Sequence, residues 1–558
     1  MWKKQDNAKT IMDVIIRNSH QTKEELFQNK IYSVKGLESV ATIISDYKDK
    51  PIHIIGDYDC DGIMSSAIMK IGLTAFGCSN VSVRIPKRFS EGYGLSEKII
   101  SEISEGLIIT VDNGISAVDA VKKAKEKGLT VIITDHHLPG EIIPNADILL
   151  DPHIGNFDFQ DYCGAGVAYK IMEYLLPKNP ILYKLLSFAA IATVADVVPL
   201  IGDNRQIVRK GLRSLRMKEG RTSGLYSLLY RLGLNEELDE HCIGFQIGPV
   251  LNAPGRLFDD GAVQSYELIS FDGEWNQAIT MADNLILLND KRKQLVKEQW
   301  EETMQIIKIN CMYGQSSYVI YQPGCPEGIT GVLAGRLSEY FNRPAIILTD
   351  AENGTLKGSG RSSNAHLKNL LDKVNKYLLR YGGHKGAAGL SLKKEELDDF
   401  INAFTKETNI LSFNDSTDIY YDLKCNASII PKLLTSLTAA GPFGEGMKPV
   451  VFCIENFKLF PIQNNYIQTM GVDKNILKVS GNGINGIIFS RPGFDPVKKY
   501  QQLGSPHSIN CIGILGFNYH NGEKSSQVEI IDFEPRYEEK PKSQLQILLE
   551  KQAAKYNK

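Results

Sequence analysis

The chain of 558 residues has no excess of charge of either sign. Lys and Arg number 63 and Asp and Glu 65, a formal net charge of −2. A strongly basic coat for nucleic acid is therefore excluded, and any polyanion site must be a local patch. Cysteine is sparse: nine residues, an odd count, with no Cys-x-x-Cys pair. Neither a disulfide framework nor a cysteine-based zinc site fits that pattern, and a reducing cytoplasm is the expected compartment. The opening residues, Met1-Trp2-Lys3-Lys4-Gln5-Asp6-Asn7, lack an apolar core, so no signal peptide is expected. Long hydrophobic runs are missing too. The longest, Leu185 to Ile201, contains Asp196 and Pro199 and reads as a buried helix with something special at its end, not a membrane span. There is no internal repeat and no low-complexity tract.

What is present is an ordinary globular composition, 43% apolar and 23% charged. The length exceeds the roughly 250–300 residues at which one core stops growing, so two to four domains are expected. Residues 36–50 have helical spacing and lead into Ile52-His53-Ile54-Ile55, an apolar run ending in Gly56. A helix-like stretch from Met64 to Phe76 follows. The pattern repeats with a strand at Leu107–Val111, a helix at 117–127 and a strand at Val131–Thr134. Such alternation predicts a parallel, doubly wound sheet, in which ligands bind at the carboxyl ends of the strands. Residues 274–309 have no Pro or Gly and predict one long connecting helix. A second α/β unit follows, with strands near 317–321 and 344–348 and helices near 330–341 and 365–379. Beyond about residue 415, short apolar and aromatic segments alternate with Gly, Asn and Pro turns, as in a small β-barrel. A helical tail is expected from about Lys540.

The chemistry concentrates at the predicted strand ends. Gly56-Asp57-Tyr58-Asp59-Cys60-Asp61-Gly62 places three aspartates within five residues. Crowded carboxylates repel unless a cation neutralises them, although an aspartate there also makes a good helix cap. The glutamate that an EF-hand would need is missing. The next strand ends in Asp112-Asn113-Gly114 and the third in Asp135-His136-His137. Asp196 lies in the apolar segment Ala192-Thr193-Val194-Ala195-Asp196-Val197-Val198-Pro199, where a carboxylate must be paired or metal-bound. About five carboxylates and one or two imidazoles suit two divalent ions such as Mn²⁺ or Mg²⁺, a standard device for phosphoryl hydrolysis.

These segments, with Thr193-Val194-Ala195-Asp196, resemble the four motifs of the DHH phosphoesterase superfamily. Arg380-Tyr381-Gly382-Gly383-His384-Lys385-Gly386-Ala387-Ala388-Gly389 resembles the G-G-H motif of its associated domain. Three further segments resemble the RecJ exonuclease family: Leu251-Asn252-Ala253-Pro254-Gly255-Arg256-Leu257, Lys357-Gly358-Ser359-Gly360-Arg361-Ser362 and Gly441-Pro442-Phe443-Gly444-Glu445-Gly446. In two places the chain departs from that pattern. Glu327 stands where many members have His, and Val250 where many have Arg.

The resemblance implies a doubly wound α/β DHH domain at 36–273, preceded by an extension at 1–35. A connecting helix at 274–310 would lead to a DHH-associated α/β domain at 311–412, an OB-like barrel at 413–535 and a tail at 536–558. It implies Asp59, Asp61, Asp112, His136 and Asp196 as ligands of two metal ions, with Asp112 bridging. Asp57 would be a ligand or accept a hydrogen bond behind the ligands. Asp135 would orient a histidine, His137 would face the scissile phosphate, and His384 would contact phosphate. Arg361, Ser359 and Arg88 would form a 5′-phosphate pocket, and Asn252 and Arg256 would hold the DNA backbone. Of the barrel's aromatics, Tyr420, Tyr421, Phe443, Phe452, Phe457, Phe460, Tyr466 and Phe489, most are expected in the core.

The implied activity is 5′→3′ hydrolysis of single-stranded DNA in repair and recombination. The implied enzyme is a cytoplasmic monomer without membrane attachment that meets single-strand-binding protein or a helicase. The alternatives are a DHH phosphodiesterase of short RNA or cyclic dinucleotides and an inactive binding scaffold. An intact set of aspartates speaks against the scaffold.

Overall fold

In the computed structural model, residues 1–28, 30–234, 237–413, 418–462, 465–471, 476–491, 493–520 and 523–536 are described. The tail expected from Lys540 lies outside them. Among the described residues, no helix is long and apolar enough to cross a membrane.

Alternating aliphatic residues build the first sheet. Ile52 and Ile54, Leu107, Ile109 and Val111, and Ile132 pack into a core on one face. Ile55, Ile108, Val131 and Ile133 pack into a smaller core on the other. A strand buried on both sides needs this two-residue period and helices over both faces. Five strands, all parallel, run in the order Val81–Arg84, Ile52–Ile55, Leu107–Val111, Thr130–Thr134 and Ile148–Leu150. The chain starts in Ile52–Ile55, steps out to Val81–Arg84, and returns past its start to Leu107–Val111. The carboxyl ends of Ile52–Ile55 and Leu107–Val111 flank the topological switch point, where such sheets bind ligands.

The apolar run ending at Asp196 is the helix Ile181–Ala195, with Asp196 at its C-cap. The connecting helix runs from Trp275 to Ile309. Its first half, through Ala282, Leu285 and Leu288, packs into the core of the first domain. Its second half, through Val296 and Ile307, packs into the core of the second. One rigid element thus belongs to both.

The second domain carries a five-stranded mixed sheet in the order Arg380–Gly383, Ala387–Lys393, Thr355–Arg361, Ala345–Asp350 and Tyr318–Tyr321. Only the last two are parallel neighbours. Local sequence does not point to the first three strands, because Gly-rich stretches such as Lys357-Gly358-Ser359-Gly360-Arg361 have little strand propensity of their own. Close strand approach explains them: a Cβ on Gly358 would lie 2.0 Å from the carbonyl oxygen of Ile347.

The C-terminal region is a seven-stranded sheet from Leu423–Asn426 to Gln468–Met470. Its Val451–Phe460 strand also pairs with Ile476–Gly481, which curls the sheet into a barrel. The expectation for its aromatics is corrected. Phe452 and Phe457 are fully buried, Tyr421, Phe443 and Tyr466 half-buried, and Tyr420, Phe460 and Phe489 exposed. Alternate positions of a barrel strand face solvent, which propensity alone cannot assign.

The barrel is not an appendage. Trp2–Lys4 adds a parallel strand to Ile419–Tyr421, and Trp2 Nε1 donates to Asp532 at 2.8 Å. On helix Ile11–Ser19, Val14 enters the barrel core, while Ile15 packs with Leu200, Val208 and Met447. The buried Arg205 donates to the carbonyls of Ala440, Gly441 (3.1 Å) and Pro442 (3.0 Å). Leu200, four residues beyond Asp196, donates its N–H to Glu445 O at 2.8 Å.

Candidate active site

Backbone geometry sets the acidic wall. Asp57, Asp61, Asp112 and Asp135 are each at most 2% exposed. Asp59 caps helix Cys60–Phe76, accepting from Asp61 and Gly62 N–H at 3.0 and 3.1 Å. The cap accounts for one of its oxygens only. Asp61, one residue into the helix, accepts the N–H groups of Gly164 and Ala165 at 2.6 and 2.8 Å, at the start of helix Gly164–Leu175. Asp112 has φ +62°, a left-handed conformation that Asp and Asn tolerate better than most residues. Gly164 allows the contact, since a Cβ there would sit 2.5 Å from Asp112 Cβ.

These groups converge. His136 Nε2 lies 3.1 Å from Asp112, 3.6 Å from Asp61 and 3.8 Å from Asp196. Asp61, His136 and Asp196 form one set with ligand atoms within 4.8 Å of one another, and Asp57, Asp59 and Asp112 a second. The short approach of Asp112 to His136 joins the two. Among the described residues, Asp57 Oδ1 and Asp112 Oδ1 are buried and make no hydrogen bond, the His136 Nε2 approach to Asp112 Oδ1 at 3.1 Å included. Such oxygens among other carboxylates call for a cation, and a carboxylate set with one imidazole suits a hard-to-borderline divalent ion. The residues therefore fit the two-ion site.

Titration behaviour follows from position. Burial, then neighbouring carboxylates, pushes Asp57, Asp112 and Asp196 well above the usual carboxylate range and Asp61 up to about 6. Burial and the neighbouring His137 push His136 down to about 3, keeping it neutral. His137 goes the other way. Burial opposes its charge, but the Nδ1 hydrogen bond to Asp135 at 2.7 Å and that carboxylate's charge carry it up to about 9. Asp135 also accepts N–H groups from Ile115 and His136 at 2.9 and 2.7 Å. The adjacent histidines are thus driven apart into a neutral ligand type and a cation.

The basic wall draws on several elements. Arg88 stacks over Tyr58, its guanidinium carbon 4.5 Å from the ring centre. Its loop is anchored by Asp259, which accepts from Phe89 and Ser90 N–H at 2.7 and 3.0 Å. Ser359 and Arg361 share one face of strand Thr355–Arg361, and Ser359 Oγ meets Thr330 Oγ1 at 3.1 Å. Gly331 makes room for the guanidinium: a Cβ there would lie 2.9 Å from Arg361 Nη2. His384 lies in the turn after Arg380–Gly383, largely exposed, and the partial burial of its ring, then the charges of Arg361 and His137, lower its pKa. Asn252 Oδ1 accepts from Cys60 N–H at 2.8 Å, tying helix Gly248–Leu257 to the aspartate loop. Burial and the charges of Arg88, Arg292 and Arg361 push Arg256 down to about 10. Of the two departures, Val250 is a core residue, 1% exposed, and Glu327 pairs with Lys357 at 3.3 Å.

Sequence reasoning missed several contributors. Asn113 is fully buried and donates to the carbonyls of Ile55, Gly56 and Val111 at 2.9–3.0 Å, stitching the two strand ends together. Gly164 and Ala165 act through backbone N–H groups, which leave no side-chain signal. Tyr93 donates to Asp112 O at 2.5 Å and its hydroxyl lies 3.1 Å from His137 Nδ1. Arg292 lies on the connecting helix.

Family models match in three places: the DHH family, N-terminal domain over residues 51–193, the DHHA1 domain over 314–409 and the RecJ OB domain over 408–532. The single-stranded-DNA-specific exonuclease RecJ of Escherichia coli (strain K12) is 34% identical over 431 residues, covering 71% of this chain and 73% of the relative. The chain belongs to the RecJ family. The Salmonella typhimurium RecJ is 36% identical over 382 residues, 63% of this chain. The chain spans 65% of that relative's length. The crystal structure of RecJ in complex with Mn²⁺ from Thermus thermophilus matches with TM-score 0.75 and 25% identity, covering 94% of this chain and 75% of that one.

Proposed function

We propose that this RecJ-family chain is a two-metal exonuclease that hydrolyses single-stranded DNA from the 5′ end to mononucleotides, in DNA repair and recombination. The observation that carries it is the pair of walls. Buried, unpartnered carboxylate oxygens at the switch point face arginines that, among the described residues, lack carboxylate partners. The first wall needs cations and the second an anion, and a phosphodiester with two divalent ions supplies both.

Asp59, Asp61, Asp112, His136 and Asp196 would hold the ions, Mn²⁺ or Mg²⁺, with Asp112 shared and Asp57 completing the second set. The ions supply charge neutralisation at the phosphate and activation of the attacking water. Asp135 keeps His137 cationic and aimed at the scissile phosphate, and His384 approaches that phosphate from the second domain. Arg361 offers a bidentate fork to the 5′-terminal phosphate, helped by Ser359 and Arg88. Asn252 and Arg256 hold the backbone. The exposed barrel aromatics Tyr420, Phe460 and Phe489 are candidates for base stacking. The enzyme is read as a cytoplasmic monomer, working on strands exposed by a helicase or coated by single-strand-binding protein.

Purified protein with Mn²⁺ on 5′- and 3′-labelled single-stranded DNA, duplex DNA and short RNA tests this. Mononucleotides released first from the 5′ label on single strands are the expected result. Preference for short RNA would favour the phosphodiesterase alternative, and robust activity in excess EDTA would sink the two-ion reading.

A further inference from the structure

Beside Asp196 lies a 130 Å³ pocket whose lining includes Ala195, Gly244, Gly248, Asn252, Arg256 and Arg292. Its polar side chains present donors. Asn252 Oδ1 is occupied by the Cys60 N–H, so the Nδ2 hydrogens remain to donate. Among the described residues, the Arg256 guanidinium has one hydrogen-bond partner, the Gly328 carbonyl at 3.3 Å. Arg292 is held by Asn289 Oδ1 through Nε and Nη2 at 3.1 and 2.9 Å, which fixes its plane and, among the described residues, leaves Nη1 unused. Among the described residues, neither arginine has a carboxylate within 4.0 Å. Two guanidinium groups sharing a half-buried pocket repel each other, and a bound anion relieves that.

Shape agrees with charge. Residues Ile243–Ile247 form a π-helical turn, a widened turn that recurs at functional sites. A Cβ on Gly244 would meet only Val194 Cγ1 at 3.8 Å, so small residues keep the wall open. Arg256 is the link in the charge field: it feels Arg292 as well as Arg88 and Arg361.

We propose that Arg292 is a substrate-binding residue that, with Arg256 and Asn252, holds an internal phosphate of the single strand in this pocket. That phosphate is distinct from the terminal one at Arg88, Ser359 and Arg361. The inference rests on the single-stranded DNA reading above and adds to it a second anchoring point along the strand.

The test measures kcat/KM of the full chain in Mn²⁺ on a 20-nucleotide single strand at a series of NaCl concentrations. Variants are Arg292→Gln, which keeps much of the length and a hydrogen bond to Asn289 while removing the charge, and Arg292→Lys, which keeps the charge. For Arg292→Gln, kcat/KM should fall about tenfold through KM, with the slope against log salt shallower by about 0.7, one phosphate's worth on a single strand. Arg292→Lys should restore the slope, and the ratio of 5′-phosphate to 5′-hydroxyl rates should stay at its wild-type value in both. Wild-type slope and KM in Arg292→Gln overturn the inference, as does a lowered Tm with unchanged slope, which would make Arg292 a clamp between domains. Loss of the 5′-phosphate preference would place Arg292 in the terminal pocket instead and also overturn it. Wild-type protein inactive on single strands would bring down the nuclease reading; an active wild type with an indifferent variant brings down only this inference.

Discussion

The two walls of the cleft answer burial in opposite ways. Along the acidic wall, Asp57, Asp61, Asp112 and Asp196 are pushed up. Along the basic wall, Arg256, Arg361 and His384 are pushed down. Both are ordinary consequences of withdrawing charge from water among like charges. Their construction differs more than their chemistry. Strand ends of a single sheet carry Asp57, Asp112, Asp135 and His136, and Asn113 bonds two of those ends together. A loop, two helices, a strand and a hairpin turn, spread over two domains, supply Arg88, Arg256, Arg292, Arg361 and His384. A lesion in the first wall should remove the chemistry and relieve repulsion. One in the second should change how the strand is held.

The largest effect tests the first half of that contrast. Asp112→Asn, chosen because Asn also accepts φ +62°, should lower hydrolysis by at least about 10³-fold, or about 4 kcal/mol of barrier. The same variant should melt at a higher temperature than wild type without metal, because one member of a repelling buried set becomes neutral. Retained activity together with a lowered Tm would break the picture of an acidic wall kept for function at a cost in stability.

Asp135→Asn should be milder, roughly 10–100-fold, since it acts through the histidine it holds. His137, no longer carried up to about 9, should lose its proton at lower pH, so the alkaline limb of the kcat profile should move to lower pH. An unmoved limb would detach His137 from the phosphate. On the basic wall, Arg361→Ala should reduce the preference for 5′-phosphorylated over 5′-hydroxyl ends by about tenfold, in line with a charge-assisted hydrogen bond of about 1.5 kcal/mol. Equal loss on both ends would remove Arg361 from the terminal pocket.

The smallest effect sharpens the comparison with a half-buried carboxylate at the joint with the barrel. Glu240 accepts the Phe443 N–H at 2.7 Å there, and burial, then Asp239, pushes it up to about 7. Its folded pKa lies above the unfolded value of about 4.3, so the folded state binds the extra proton. Stability should therefore fall as pH rises from about 4.5 to 7 and level off above, by a few degrees in Tm. Glu240→Gln should flatten that slope, and Mn²⁺ should raise Tm at neutral pH without altering it. A slope that Mn²⁺ abolishes would belong to the metal carboxylates, not to Glu240.

Legibility tracked construction. The acidic wall could be read because most of its members directly follow an aliphatic run, and the long helix because 274–309 contains neither Pro nor Gly. Arg292 could not: on that helix it looks like any solvated arginine until Arg256 is placed beside its pocket. Gly164 and Ala165 contribute only N–H groups, which every non-proline residue has. The strands at 355–361 and 387–393 arise from pairing with Ala345–Asp350 and with each other, against a weak local preference.

By itself, then, the sequence determined the parallel sheet, the aspartates and histidines at its strand ends and the order of the parts, because periodicity and strand-end position are properties of neighbouring residues. Tertiary structure decided the rest. It placed Asp196 within 3.8 Å of His136, chose which histidine is neutral and which a cation, and set Trp2–Lys4 and Arg205 against the barrel. It also gathered arginines from distant segments into one field. Burial and Coulomb interaction depend on distance through space, and the linear sequence does not contain that distance.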